Sequence, residues 1–240
     1  MILQDFTEYP HLLDAICFLL SCALFLAYLS FIKIMVRRNP AYTIQGITAL
    51  ARTAWVRSVM EDRKDILAVQ TLRNSTMAAT FLASTAILLT VGVLTLTGQG
   101  DKLRITWQAL DFMDSGHQSL LEVKLVILLL DLFAGFFFFS SSVRLYNHVG
   151  YMINAPYNRR ERVMSPSVVA AQLNRAGHHY SMGMRGFYSM VPLVFWIFGP
   201  LFLLGATVVM LAILYHLDRT PKDVEADYHR ECDTDTCDID

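Results

Sequence analysis

The sequence predicts an all-α polytopic membrane protein, with four transmembrane helices and amphipathic helices on the cytoplasmic side. Three observations lead there. Of the 240 residues, 54% are hydrophobic and 17% charged, whereas a soluble domain carries about a quarter charged residues. The apolar residues gather into four runs, each near the roughly 20 residues a helix needs to cross a bilayer. The charged residues are segregated by sign between the segments that separate those runs.

The runs cover residues 12–34, 76–97, 123–143 and 187–215. Backbone polar groups in hydrocarbon must be satisfied within their own segment, so each run is expected to be a helix. The first is uncharged from Ala15 to Phe31. Its leader holds Asp5 and Glu8 but no lysine or arginine, which reads as a retained helix rather than a cleaved signal. The second is uncharged, and the third holds one carboxylate, Asp131. The fourth is uncharged and interrupted by Pro192 and Pro200. Tyrosine and tryptophan (Tyr9, Trp107, Tyr146, Tyr151, Tyr188, Tyr215) stand near the ends, at headgroup level.

Residues 33–73 and 144–185 together hold 14 of the 20 lysines and arginines. Basic loops stay in the cytoplasm, which puts the N-terminus, the 98–122 loop and the C-terminal tail outside, in a plasma (bacterial inner) membrane. Nine carboxylates follow His216, so residues 1–217 read as the membrane domain and 218–240 as an acidic, disordered extracytoplasmic tail. In the first basic loop, Asn39-Pro40 signals a turn and Thr43 an N-cap. Ile44, Ile47, Ala51, Ala54, Trp55 and Val59 then recur at the spacing of an amphipathic helix on the membrane surface. Helix resumes near Ile66 and continues into the second span. In the second basic loop a helix is expected from Ser167 towards Gly177.

A family resemblance is carried by the segment from Asn39-Pro40 through Gly46, Arg52 and Trp55-Val56 to the block Ala68-Val69-Gln70-Thr71-Leu72-Arg73-Asn74. Arg144-Leu145-Tyr146-Asn147-His148, Gly183-Met184-Arg185-Gly186-Phe187-Tyr188, Trp196 and Gly199-Pro200 add to it. On these residues the chain resembles the family of domain of unknown function 599 over nearly its whole length, the acidic tail excepted. The resemblance implies a small multi-span membrane protein and transfers no activity, cofactor or site residue.

Two groups of residues are candidate sites. Asp131 lies about eight residues, roughly 12 Å, inside the third span, and Gly135 and Ser142 share its face. A carboxyl at that depth is a proton or cation site, or else it fastens two helices by a hydrogen bond, with Thr80, Ser84 or Tyr28 as partner. No lysine or arginine lies at similar depth, so a buried ion pair is not expected. The second group is Arg73, Asn74, Arg144, Tyr146, Asn147 and His148, at the inner ends of the second and third spans. It reads as one anion or headgroup site, or as positive-inside anchoring.

His11, His117 and His216 are expected at the outer interface and His148, His178 and His179 at the inner one, none at metal-ligand spacing. Cys232 and Cys237 could pair in an oxidising compartment, and their acidic surroundings do not match a calcium loop. No cofactor, catalytic motif or nucleic-acid interface is expected. The reading favoured is a non-catalytic scaffold or accessory subunit. Its partners are the lipid bilayer and either its own copies or a larger membrane complex. The alternatives are a small oligomeric channel or transporter using Asp131, and a membrane redox or metal-binding protein.

Overall fold

The computed structural model describes residues 10–62, 65–98, 118–155 and 165–221. They form α1 (Pro10–Arg38), a 3-10 turn (Pro40–Tyr42), α2 (Ile44–Asp62), α3 (Asp65–Thr97), α4 (Gln118–Asn154), α5 (Pro166–Phe195), a second 3-10 turn (Trp196–Phe198) and α6 (Pro200–Asp218). The acidic tail, with Cys232 and Cys237, lies outside the described residues, as do Trp107 and His117. Among the described residues, four helices are long and apolar enough to cross a membrane, over Leu12–Arg38, Ile66–Thr97, Leu120–Asn154 and Pro200–Asp218. Leu19, Leu26, Phe81 and Leu88 stand exposed on them, as lipid-facing side chains do.

The expected turn and cap after α1 are present. The Asn39 side chain accepts from the Ala41 amide at 2.9 Å, and Thr43 Oγ1 accepts from the Gly46 amide at 3.2 Å. α3 and α4 have 33 and 37 residues, about 50 and 55 Å of helix at 1.5 Å per residue. A hydrocarbon layer of about 30 Å cannot cover that length, so both overshoot it at the end that holds the α1–α2 turn. There α2, α3, α4 and α5 bury a shared core that includes Val56, Val59, Leu72, Tyr146, Val149 and Leu173. The sequence laid the apolar face of α2 on the membrane surface; in the structure Val56, Val59 and Met60, with Trp55 beside them, pack on protein, chiefly along α5, while Ile44, Ala51 and Ala54 of that face stay exposed.

α5 accompanies α4 along its length in antiparallel register. Ser142 Oγ donates to the Ala176 carbonyl at 2.9 Å, Phe139 packs on Gly183, Gly135 meets Gly186, and Lys124 lies over the Trp196 ring. It is a fifth pass through the bundle. Its hydropathy is diluted by Asn174, Arg175, His178, His179 and Arg185, which is why apolar length alone did not single it out.

The run 187–215 is therefore not one helix. α5 ends in the Trp196–Phe198 turn, and Gly199 adopts φ 140°, a conformation only glycine enters readily. Pro200 then opens α6, its fixed φ and missing N–H suiting the first helical position. The chain reverses there, and Asp218 at the far end of α6 reaches back to Arg185 of α5. The Thr220 amide donates to the Tyr42 carbonyl at 3.2 Å, beside an isolated bridge between Thr43 and Arg219. Asp14, near the start of α1, sits with Trp196 and Lys124 at the opposite end of the bundle. The expectation that both ends of the chain share a side falls on residues outside those described. The reversal at Gly199 puts residues 219–221 at the end that holds the α1–α2 turn.

Candidate functional site

A pocket of about 810 Å3 opens between α1, α2 and α5 at the end of the bundle that holds the α1–α2 turn. Arg52, the sixth residue after the Gly46 turn, forms its floor. The Arg52 Nε–H donates to Asn174 Oδ1 at 2.8 Å, and Asn174 Nδ2 donates to Thr53 Oγ1 at 3.1 Å. The Thr53 hydroxyl in turn donates to the Ala49 carbonyl at 2.9 Å. This chain holds the guanidinium flat against Gly177. A β-carbon at Gly177 would come within 2.8 Å of Arg52 Nη1, so glycine at 177 is what lets the arginine lie there. Burial lowers the Arg52 pKa from its ordinary value. The group nevertheless stays charged, and a desolvated charge gains more from an opposite one.

Lys33 and Arg37, four residues apart on α1, line the pocket and are exposed; Arg185 lines its α5 side. The Arg185 Nη2 contacts Asp218 Oδ2 at 3.0 Å. The same carboxylate accepts from the Tyr28 hydroxyl at 2.8 Å and, at the long limit of 3.4 Å, from Gln45 Nε2. Arg185 Nε is buried without a hydrogen-bond partner among the described residues. Four cations thus surround the pocket, and the pairing just described engages only Arg185.

The residues predicted as one cytoplasmic-edge cluster do not stay together. Arg144 and His148 line a groove of about 480 Å3 with Arg175 and His179 of α5. Arg73 and Asn74 are exposed on α3, Asn147 is exposed on α4, and Tyr146 is buried in the inner core. The polar side chains that share the groove with Arg144 include Gln172, Arg175 and His179 of α5, which the sequence split between a loop and a span.

Asp131, Gly135 and Ser142 do face one neighbouring helix, which is α5. Ser189 Oγ lies 2.9 Å from Asp131 Oδ1 and 2.8 Å from the Gly186 carbonyl. Ser189 replaces Thr80, Ser84 and Tyr28 as the partner; the Tyr28 hydroxyl is engaged by Asp218. Asp131 Oδ2 is buried without a partner among the described residues. Asp131→Leu is expected to destabilise the protein by only about 1 kcal/mol, the net value of one hydrogen bond, because Ser189 keeps the Gly186 carbonyl. Asp131→Asn should recover that loss. Thermal unfolding in detergent checks both, and a loss several times larger would show that the carboxyl carries more of the α4–α5 contact.

Two ionic contacts escaped the sequence reading. Lys124 Nζ lies 3.1 Å from Asp14 Oδ2, with both side chains buried. Asp14 Oδ1 also accepts from the Trp196 indole N–H at 3.0 Å. The second is Arg185–Asp218. Each joins residues more than 30 positions apart, and the only signal available was a charge at the rim of an apolar run. Among the described residues no three His, Cys, Asp or Glu side chains gather as metal ligands would.

No curated protein and no solved structure matches the chain. The family model described as "Protein of unknown function, DUF599" matches residues 16–222, the stretch that holds all six helices but the first turns of α1. The chain belongs to that family of membrane proteins.

Proposed function

We propose that the protein is a non-catalytic membrane subunit that binds an anion at its inner end. The observation that carries this reading is the Arg52 guanidinium, fixed by Asn174 and laid on Gly177 in a pocket shared with Lys33, Arg37 and Arg185. Positive charges held together in a partly desolvated pocket repel one another, and an anion relieves that repulsion while taking charge-assisted hydrogen bonds. A side chain immobilised before binding loses less entropy when the ligand arrives. Asp131 supports a transport reading less well, since it meets Ser189 at a close contact between two helices.

Binding of inorganic phosphate and glycerol phosphate to the detergent-solubilised protein, followed by titration calorimetry, tests the reading. Arg52→Ala should weaken binding by about 10–100-fold, the worth of hydrogen bonds to a charged group. Lys33→Gln and Arg37→Gln change exposed residues, leave the fold intact, and should each weaken binding by a smaller factor. Equal binding to all four proteins, or failure of the wild type to bind any anion, soluble or amphiphilic, would overturn the proposal.

The sidedness we infer is N-terminus outside and residues 219–221 inside. The basic residues of 33–73 and 144–185 support a cytoplasmic inner end, and the Thr220–Tyr42 hydrogen bond ties the end of α6 to it. A green fluorescent reporter fused after Pro221 should fluoresce, and a reporter active only outside the cytoplasm should be silent there. The reverse pattern would overturn the inference.

A further inference from the structure

We propose that the anion held at the inner-end pocket is the headgroup of an anionic phospholipid that enters sideways from the bilayer. The inference rests on the anion-binding reading above and adds the ligand's class. Its ground is the pocket's position and its mixed lining. α1 is uncharged from Ala15 to Phe31 and then carries Lys33 and Arg37, so the pocket lies where the first span leaves the hydrocarbon. Lysines and arginines at that level meet lipid phosphates.

The lining of α1 alternates in kind. Leu29, Ile32 and Val36 face the pocket together with Lys33 and Arg37. A small hydrophilic anion has no use for the three apolar side chains. A phospholipid uses both kinds: Arg52 with Lys33 and Arg37 grips the phosphate, and the acyl chains run back along Leu29 and Ile32 towards the bilayer centre. Arginine suits the phosphate because its planar fork offers two parallel N–H donors. Its Nε is taken by Asn174 at 2.8 Å, so the terminal nitrogens, which lie against Gly177, are the donors it offers a phosphate. A volume of about 810 Å3 falls within the roughly 300–1,000 Å3 of small-molecule sites, enough for a headgroup and the first segments of two chains.

The test uses the whole protein in mild detergent, with native mass spectrometry. The probes are phosphatidic acid, phosphatidylglycerol and phosphatidylcholine of identical acyl chains, with inorganic phosphate and glycerol phosphate as soluble arms. The two anionic lipids should remain bound at least about tenfold better than phosphatidylcholine, since surface cations and charge-assisted bonds discriminate by that order. They should also bind at least about tenfold better than glycerol phosphate, because their buried chain carbons add to the contact. Arg52→Gln should reduce the preference for anionic lipid about tenfold. Lys33→Gln and Arg37→Gln, at exposed positions, should each reduce it by a smaller factor and serve if Arg52→Gln does not fold.

Glycerol phosphate binding as tightly as phosphatidic acid would overturn the lipid proposal and leave the anion reading standing. Phosphatidylcholine retained as well as phosphatidic acid would overturn the lipid proposal too. Failure of every anion, soluble or lipid, would overturn both readings.

Discussion

Lys124→Met, made alone, is expected to lower the stability of the detergent-solubilised protein by about 3–5 kcal/mol, because it leaves Asp14 buried without its counter-charge. Both residues are 2% exposed and their charged atoms lie 3.1 Å apart. Removing one partner of such a pair leaves the desolvation of the other uncompensated, and that penalty exceeds what the pair contributes when intact. The contact joins the start of α1 to the start of α4, and Trp196 brings in the α5–α6 turn. Its indole N–H donates to Asp14 at 3.0 Å while its ring stacks on Phe18 with centroids 4.6 Å apart. Asp14→Asn combined with Lys124→Met should restore most of the stability, since the amide oxygen still accepts from Trp196 and no charge is stranded. A double-mutant cycle on unfolding in detergent measures the coupling. A single Lys124→Met within about 1 kcal/mol of wild type, at the scale of an ordinary exposed pair, would refute the account.

Much of this bundle was legible in the sequence because bilayer physics reduces it to length and charge. Uncharged runs near 20 residues marked the helices, and the basic loops marked one end. Asn39, Thr43 and the helix after them followed from local hydrogen bonding, which is written over four or five adjacent residues. What was not legible depends on partners distant in sequence. α5 hid because its inner half carries arginines and histidines that a window average reads as loop, although one of its faces is packed on α4. The reversal at Gly199 hid inside an apolar run, where Gly199-Pro200 was noticed as an interruption but not as a turn. That one turn displaces the expected fourth span and brings residues 219–221 to the end of the bundle that holds the α1–α2 turn. The site shows the same pattern. The prediction of an anion site at the inner end rested on Arg73, Asn74, Arg144 and Asn147, adjacent to span ends. The arginine that the fold fixes in a pocket is Arg52, whose neighbours Asn174 and Gly177 stand more than 120 positions later.

Asp218 was read as the first residue of a disordered acidic tail, and the structure makes it the polar anchor of α6. It is 7% exposed and accepts from Tyr28 of α1, Gln45 of α2 and Arg185 of α5. Four helices thus meet on one carboxylate. Asp218→Ala is expected to cost about 3–5 kcal/mol, because it strands the partly buried Arg185 guanidinium, whose Nε already lacks a hydrogen-bond partner among the described residues. The loss should come with freer movement of the α6 end, since the contacts left there include only weaker ones such as the Thr220–Tyr42 hydrogen bond, the Thr43–Arg219 bridge and Arg219 over the Tyr42 ring. Amide hydrogen exchange of residues 214–220 reports that movement independently of global stability. Asp62, an exposed carboxylate that accepts from Ser58 at 3.2 Å, serves as the control. Asp62→Ala should change stability by no more than about 0.5 kcal/mol, as surface substitutions do. Arg185→Met with Asp218→Leu should recover part of the loss, the Tyr28 hydroxyl then being the group left without its acceptor. If Asp218→Ala behaves like Asp62→Ala in both unfolding and exchange, the carboxylate does not anchor α6, and the hairpin must be held by the apolar contacts of α6 with α1 and α5.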